Sequence, residues 1–222
     1  MEIKVEATAR QRSNFAVQHM LAAARFARLC YKVEAENAGS PLGPFYDEII
    51  SYVTATILSS VAGLEANINE IFADGRDGMI VFDGLDEKLL TEMWDLIEEK
   101  PILEKYQFVL TLRKRCKMEK GVQQYQFADS LIKVRNALVH FKPEWHDEQQ
   151  EHEKIGNRLR GKFTLSPFLD KNAPLFPARC MTHGFAEWAV HLSLDFAQWF
   201  AQLADMPNRF EKFIDRMDTT PK

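Results

Sequence analysis

Cysteine is scarce in this chain, and its three cysteines lie far apart. Cys30, Cys116 and Cys180 form no Cys-x-x-Cys pair, which excludes the zinc-ribbon and thioredoxin-type motifs. An odd number of widely spaced cysteines is also unlike the disulfide framework of a small secreted protein. We therefore expect a reducing compartment.

Several other features are also missing. The first residues, MEIKVEATARQR, contain no apolar run of the signal-peptide kind, and no stretch is long and apolar enough to be expected to span a bilayer. The formal net charge is −4, so the overall basic charge of many nucleic-acid binders is absent, although a small local basic site stays open. No Gly-rich phosphate loop supports nucleotide binding without cleavage. We expect a cytoplasmic protein with no membrane contact, no cofactor and no metal.

Apolar residues recur every three to four positions along most of the chain, which is the period of a helix with one buried face. This pattern predicts helices over residues 8–37, 46–73, 85–99, 101–112, 122–140 and 178–204. A charged, solvated helical arm is expected at 145–162, a Pro-rich loop at 166–177, a short strand at 79–82, and extended chain at 1–7. The tail from residue 217 is expected to fray. Without repeats or a composition break, the pattern predicts one all-α, bundle-like domain.

The predicted helix 46–73 differs from an ordinary surface helix. One side carries branched apolar residues, and the other carries small residues instead of charges, which predicts packing on both sides. Between Ser51 and Asn69 its only charge is Glu65. Because burying a bare charge is costly, this carboxylate needs a cationic or strong hydrogen-bonding partner. Asn69 lies one turn later on the same side and can act with it.

The stretch 129–145 combines an apolar helical face with an unusual polar edge. Pro143 disfavours helical geometry at the residue before it, so the helix should end close after His140. Arg135, Asn136 and His140 would then lie together near its C-terminal end. Asn136 and His140 share a face, whereas Arg135 lies about 140° around the helix from His140.

These three residue types suit phosphodiester cleavage without a metal. Histidine can move protons near neutral pH, and arginine can neutralise a phosphate or the charge that develops in the transition state. Asn136 can orient the imidazole or the substrate. The alternative is a solvated arginine and a histidine that is stabilised by the negative end of the helix dipole.

The run Arg135-Asn136-Ala137-Leu138-Val139-His140 resembles the signature of the HEPN superfamily (higher eukaryotes and prokaryotes nucleotide-binding domains). That motif is an arginine, usually followed by Asn, Asp or His, and then a histidine after four to six intervening residues near the end of a core helix. The resemblance extends over residues 8–141. It implies an all-α, HEPN-like up-and-down helical bundle, here with a long additional C-terminal helix. The corresponding organisation is a single domain, 1–222, with a core bundle at 8–141, a charged arm and Pro-rich loop at 142–177, and C-terminal helices at 178–216.

Many HEPN proteins are metal-independent ribonucleases of toxin–antitoxin, CRISPR or abortive-infection systems. They commonly dimerise so that two copies of the motif line one cleft, and others have lost activity and serve as binding or assembly domains. The resemblance therefore implies an endoribonuclease with Arg135, Asn136 and His140 as catalytic residues, RNA as substrate, a homodimer, and an antitoxin protein as a further partner. The rival interpretation is a non-catalytic helical module that binds a protein or RNA.

Glu65 and Asn69 are predicted to support the motif. HEPN bundles often place a polar residue of an earlier helix against the Arg–His pair, so we expect Glu65 to meet Arg135 or His140, within one chain or across a dimer. The alternative is a structural pair with another partner.

Three charged segments have a functional and an ordinary interpretation. Residues 146–152 contain metal-ligand types, but the two histidines do not share a helix face, so a solvated surface is expected. The basic runs 113–117 and 158–162 could contact a phosphate backbone or simply be solvated. Their position relative to His140 would decide between the two.

Overall fold

The computed structural model of the protein describes residues 11–80, 82, 84–145 and 147–221. The predicted extended segment 1–7 lies outside these residues. All regular structure in the described chain is helical, which confirms the all-α prediction. The α-helices are α1 (Ala16–Glu36), α2 (Phe45–Arg76), α3 (Glu87–Ile97), α4 (Ile102–Leu112), α5 (Gln123–Val139), α6 (Glu151–Leu159) and α7 (His183–Ala204).

Helix α2 lies at the centre and packs against α1, α3, α4, α5 and α7. Its partner α1 contributes small, fully buried residues to their shared interface, Ala23, Ala24 and Ala27 among them. Gly63 of α2 lies directly against Met20, whose sulfur would be 2.8 Å from an added Cβ. Small residues on both helices allow their axes to approach closely.

The C-terminal helix α7 is part of the core. Its residues Phe196 and Phe200 are buried and pack edge-on against the ring of Tyr106 from α4, at centroid distances of 4.9 and 4.6 Å. The bundle is therefore not complete at residue 141, as the predicted division had it. Helix α7 begins at His183 rather than at residue 178, because Thr182 is extended and its side chain accepts the N–H of Phe185.

Three further predictions of local structure were wrong. Met79 and Ile80 form no strand, since both N–H groups donate to the carbonyl of Asp74 and close the end of α2. Among the described residues, helix α1 starts only at Ala16. The charged arm forms the short helix α6, but this helix buries one face, including His152, against the turn 175–179.

The tail beyond residue 216 is packed rather than frayed. Met217 and Thr219 are both buried. The Thr219 hydroxyl donates to Glu187 at 3.0 Å, and the Thr219 carbonyl lies 3.1 Å from Nε2 of His183. These contacts fix the tail across the start of α7.

Helix α2 also overturns one expectation about membranes. By length and composition it is apolar enough to cross a bilayer, which the sequence interpretation had excluded for every stretch. A core helix of a soluble bundle meets the same test, and α2 lies among five other helices of this domain.

Candidate functional site at the end of helix α5

Helix α5 ends at the motif. Val139 is its last residue, and His140 follows as the C-cap, with φ −107°, ψ 42° and its N–H donating to the Asn136 carbonyl at 2.9 Å. The end comes slightly earlier than predicted, so His140 lies just outside the helix and Arg135 inside it. The arginine is therefore held by regular helix, whereas the histidine belongs to the segment that leaves it.

Asn136 and His140 are both exposed. Neither side chain makes a hydrogen bond or ion pair with any other residue that the structure describes. Both groups are consequently open to a ligand. The described part of a single chain supplies no hydrogen-bond partner for the imidazole.

Arg135 is half-buried and faces α2. Its Nη2 lies 3.8 Å from Oε2 of Glu65, so the two side chains that were predicted to meet form an ion pair within one chain. The Nε–H of Arg135 is buried and has no acceptor among the described residues. The guanidinium is thus held near Glu65 while its hydrogen-bonding capacity is largely unused.

Lys105 of α4 is a member of this site that the sequence interpretation missed. Its side chain is only 3% exposed, and its Nζ lies 3.9 Å from Oε1 of Glu65 and donates to Oδ1 of Asn69 at 3.3 Å. The signal was available, because position 105 lies on the buried face of α4, three residues after Ile102 and four before Val109. A lysine on that face needs a partner.

We call Glu65, Asn69, Lys105 and Arg135 the Glu65 cluster. It brings together one carboxylate, two cations and an amide from α2, α4 and α5. Its formal charge is +1, which suits an anionic ligand. The predicted supporting residues Glu65 and Asn69 both belong to it, and Lys105 links them.

The segment that follows His140 is anchored on α6. The carboxylate of Glu144 accepts the N–H groups of residues 150–152 at 3.0 to 3.1 Å, where a helix N-terminus favours negative charge. His152 is buried between the rings of Phe141 and Phe176, at centroid distances of 5.1 and 5.4 Å. The expectation of a solvated surface is therefore wrong for His152. Within the described residues, no group of three ligand-type side chains is arranged to hold a metal.

The two basic runs, 113–117 and 158–162, contact other parts of the structure. Arg113 donates to the carbonyls of Ala204 and Asp205 at 2.6 and 3.0 Å, at the negative end of α7. Arg158 lies 3.4 Å from Asp129. Lys162 lies 3.8 Å from the centre of the Phe127 ring, and burial lowers the pKa of Lys162. No hydrogen bond or ion pair among the described residues joins either run to Arg135 or His140.

A second polar network lies at the C-terminal end of α2, just beyond Asn69, and its residues were not singled out from the sequence. Asp74 binds both Arg12 and Arg209, the latter at 2.6 Å. Glu70 accepts the N–H groups of Phe15 and Ala16 at 2.6 and 2.8 Å, which caps α1. A cavity of about 250 Å³ adjoins this network. The paired charges there have a structural role, because they attach the segments around residues 12 and 209 to α2.

Comparisons of the chain with family models, with curated proteins and with solved structures give no match.

Proposed function

We propose that this protein is a cytoplasmic, metal-independent endoribonuclease of the HEPN type, acting as a toxin or phage-defence effector. The observation that carries the proposal is the arrangement at the end of α5. Arg135 is held beside Glu65 of the central helix with unused donors, and Asn136 and His140 are exposed at the same end of α5. A guanidinium, an amide and an imidazole at one accessible helix end suit RNA phosphodiester cleavage.

In the proposed reaction His140 removes a proton from one oxygen atom and, in its protonated form, gives a proton to another. As a base it takes the proton from a ribose 2′-hydroxyl, whose oxygen then attacks the neighbouring phosphorus. The P–O5′ bond breaks, the leaving oxygen receives a proton from an imidazolium, and a 2′,3′-cyclic phosphate forms. Arg135 stabilises the negative charge on the phosphate oxygens, and Asn136 positions the imidazole or the ribose.

A homodimer is part of this proposal. Arg135 and His140 are about 140° apart around the helix axis, and the described part of one chain provides no partner for the imidazole. A second copy with its motif in the same cleft would supply a guanidinium and a second imidazole to one phosphate.

The first prediction concerns catalysis. Arg135→Ala and His140→Ala should each abolish RNA cleavage, because each removes a group that touches the reacting phosphodiester. Gel assays on labelled RNA in the presence of a chelator measure this. Circular dichroism checks that the variants remain folded.

His191→Ala is the matched control, because His191 is also an exposed histidine but lies on α7. It should cleave RNA at the wild-type rate. Cleavage that persists in both motif variants would contradict the assignment, and cleavage that stops in the chelator would contradict metal independence.

A non-catalytic binding module is the second candidate, and the surface beside His140 favours it. Val139, Phe141 and Trp145 are exposed, Trp145 to 78%. Large apolar side chains exposed close together mark interaction surfaces, here for a protein such as an antitoxin. The RNA-cleavage assay separates the two functions. If the wild-type protein binds a partner protein but cleaves no RNA, the binding-module function is correct.

A further inference from the structure

We infer that the Glu65 cluster is a phosphate-binding site, in which Lys105 and Arg135 hold a phosphate group and Glu65 is the counter-ion that the phosphate displaces. The identity of the ligand as RNA rests on the proposed function. The presence of an anion site rests on the geometry of the cluster alone.

Glu65 lies unusually far from its two cations for a hydrogen-bonded ion pair. Its carboxylate oxygens lie 3.9 Å from Nζ of Lys105 and 3.8 Å from Nη2 of Arg135. Both distances exceed the roughly 2.7–3.2 Å of an N–H···O hydrogen bond. Glu65 therefore lies between the two cations and is hydrogen-bonded to neither.

Two other carboxylates of this chain, by contrast, each contact one cation directly. Asp129 lies 2.6 Å from Lys133, and Asp77 lies 2.7 Å from Arg12. These are the distances of charge-assisted hydrogen bonds. The looser contacts of Glu65 leave room for a closer anion.

The buried Lys105 and the half-buried Arg135 both have unused hydrogen-bond donors. Lys105 is almost fully buried, and its Nζ lies 5.6 Å from the centre of the Trp94 ring, yet it makes one hydrogen bond to a described residue, the 3.3 Å contact with Asn69. The buried Nε–H of Arg135 makes none. Burying cations without acceptors is costly. A phosphate group offers several acceptor oxygens and could satisfy both residues at once.

The cluster can be reached from solvent on the side of Glu65. Glu65 is 38% exposed, whereas Lys105 lies behind it. Rotation of the Glu65 side chain into solvent would open the space between the two cations. The carboxylate would then compete with the incoming phosphate, so Glu65 sets the affinity of the site.

The test measures binding and not cleavage. Isothermal titration calorimetry with inorganic phosphate, and fluorescence anisotropy with a labelled 2′-O-methyl RNA oligonucleotide that cannot be cleaved, are applied to the wild type and to variants. Glu65→Gln should bind both probes at least about tenfold more tightly, because a like charge next to the anion is removed. Adding Lys105→Met to Glu65→Gln should cancel this gain.

Asp129→Asn is the matched control. Asp129 also faces two cations, Lys133 and Arg158, and its loss changes the net charge equally. It should change the affinity for either probe less than about twofold at the same salt concentration. An equal gain for Asp129→Asn and Glu65→Gln would overturn the inference, because it would reflect net charge alone.

Two other results would overturn the inference. One is no increase in affinity for Glu65→Gln, and the other is an increase that is still present when Lys105→Met is added. If Lys105→Met fails to fold, the comparison of Glu65→Gln with Asp129→Asn still decides. A gain for phosphate without one for RNA supports the site and assigns it to small phosphates. Because no cleavage is measured, the site can stand if the nuclease proposal fails, and the nuclease can stand if the site fails.

Discussion

At the scale of single residues, Glu144 holds the chain segment that leaves the motif. Its carboxylate accepts three amide N–H groups at the start of α6, within a few residues of His140. These donors stabilise the ionised form, so the pKa of Glu144 lies below its ordinary value of 4.5, with the N–H of His152 as the largest contribution. The ionised carboxylate is therefore what connects the motif to α6.

This lowered pKa predicts a pH-dependent contribution to stability. A carboxyl group with a lowered folded-state pKa stabilises the fold above pH 4.5, and this stabilisation is lost as the pH falls through the folded-state value. Glu144→Gln should therefore lower the free energy of unfolding at pH 7, and the difference from wild type should shrink below pH 4.5. Urea denaturation between pH 7 and pH 3.5 measures it.

Glu148→Gln provides the comparison, since Glu148 is exposed in the same segment. It should show no such difference at either pH. If the difference in free energy of unfolding between Glu144→Gln and the wild type stays constant over the whole pH range, the charge of the carboxylate contributes nothing to stability.

The sequence predicted some of these residue positions and missed others for physical reasons. Glu65 was recognisable as a lone charge on an apolar helix, and Lys105 could have been found from its place on a buried face. Glu144 could not, because its partners are backbone amides, and backbone amides leave no trace in residue type.

At the scale of helices, close packing depends on a few small residues. An added Cβ at Gly75, near the end of α2, would lie 2.1 Å from the ring of Phe82. That ring is buried and stacks beside Phe72. The chain after α2 can therefore fold back over the helix only if residue 75 has no side chain.

Gly75→Ala should lower the free energy of unfolding by about 1–3 kcal/mol, the usual cost of overpacking a core. Gly121→Ala is the control, because nothing lies within 4 Å of its added Cβ. Chemical denaturation of both variants measures the difference. Equal stability of the two would show that Phe82 moves aside without cost.

The existence of the helices followed from apolar periodicity, but several of their ends did not. Helix α1 is capped from outside by Glu70. Helix α7 begins at His183, where Glu34 of α1 adds to the local cap Thr182 by accepting the N–H of His183 at 2.7 Å. Glu70 and Glu34 come from distant parts of the chain, so a local pattern cannot locate what they contribute.

At the scale of the whole molecule, the tail completes the fold. It joins the start of α7 through Thr219, and the Arg28 side chain of α1 donates to the Asp218 carbonyl. A charged, Thr-rich sequence at the end of a chain is typical of fraying. Here the contacts are to backbone carbonyls and to single side chains, which composition does not reveal.

Deletion of residues 217–222 should reduce the free energy of unfolding by about 2–4 kcal/mol, from the loss of one buried methionine and its neighbouring hydrogen bonds. Thr220→Ala, at an exposed position of the same tail, should change it by less than about 0.5 kcal/mol. Thermal and urea denaturation measure both. Unchanged stability on deletion would mean that the packed tail adds nothing to the fold.

The family assignment, the dimer and the RNA substrate depend on a short motif, and they remain predictions at this scale. A single chain displays the motif at one helix end, and the partner that would complete a cleft is a second molecule. Of the expectations tied to the motif, the structure of one chain tests the all-helical class and the contact of Glu65 with Arg135.

The central place of α2 has a consequence for the newly made chain. The face of α2 that α7 covers is complete at residue 76, but α7 begins only at residue 183. At synthesis rates of roughly 5–20 residues per second, about 5–20 seconds pass between the synthesis of that face and the start of α7. During this interval the nascent chain exposes an apolar face of its central helix, and chaperones or a neighbouring nascent chain would have their best opportunity to bind it.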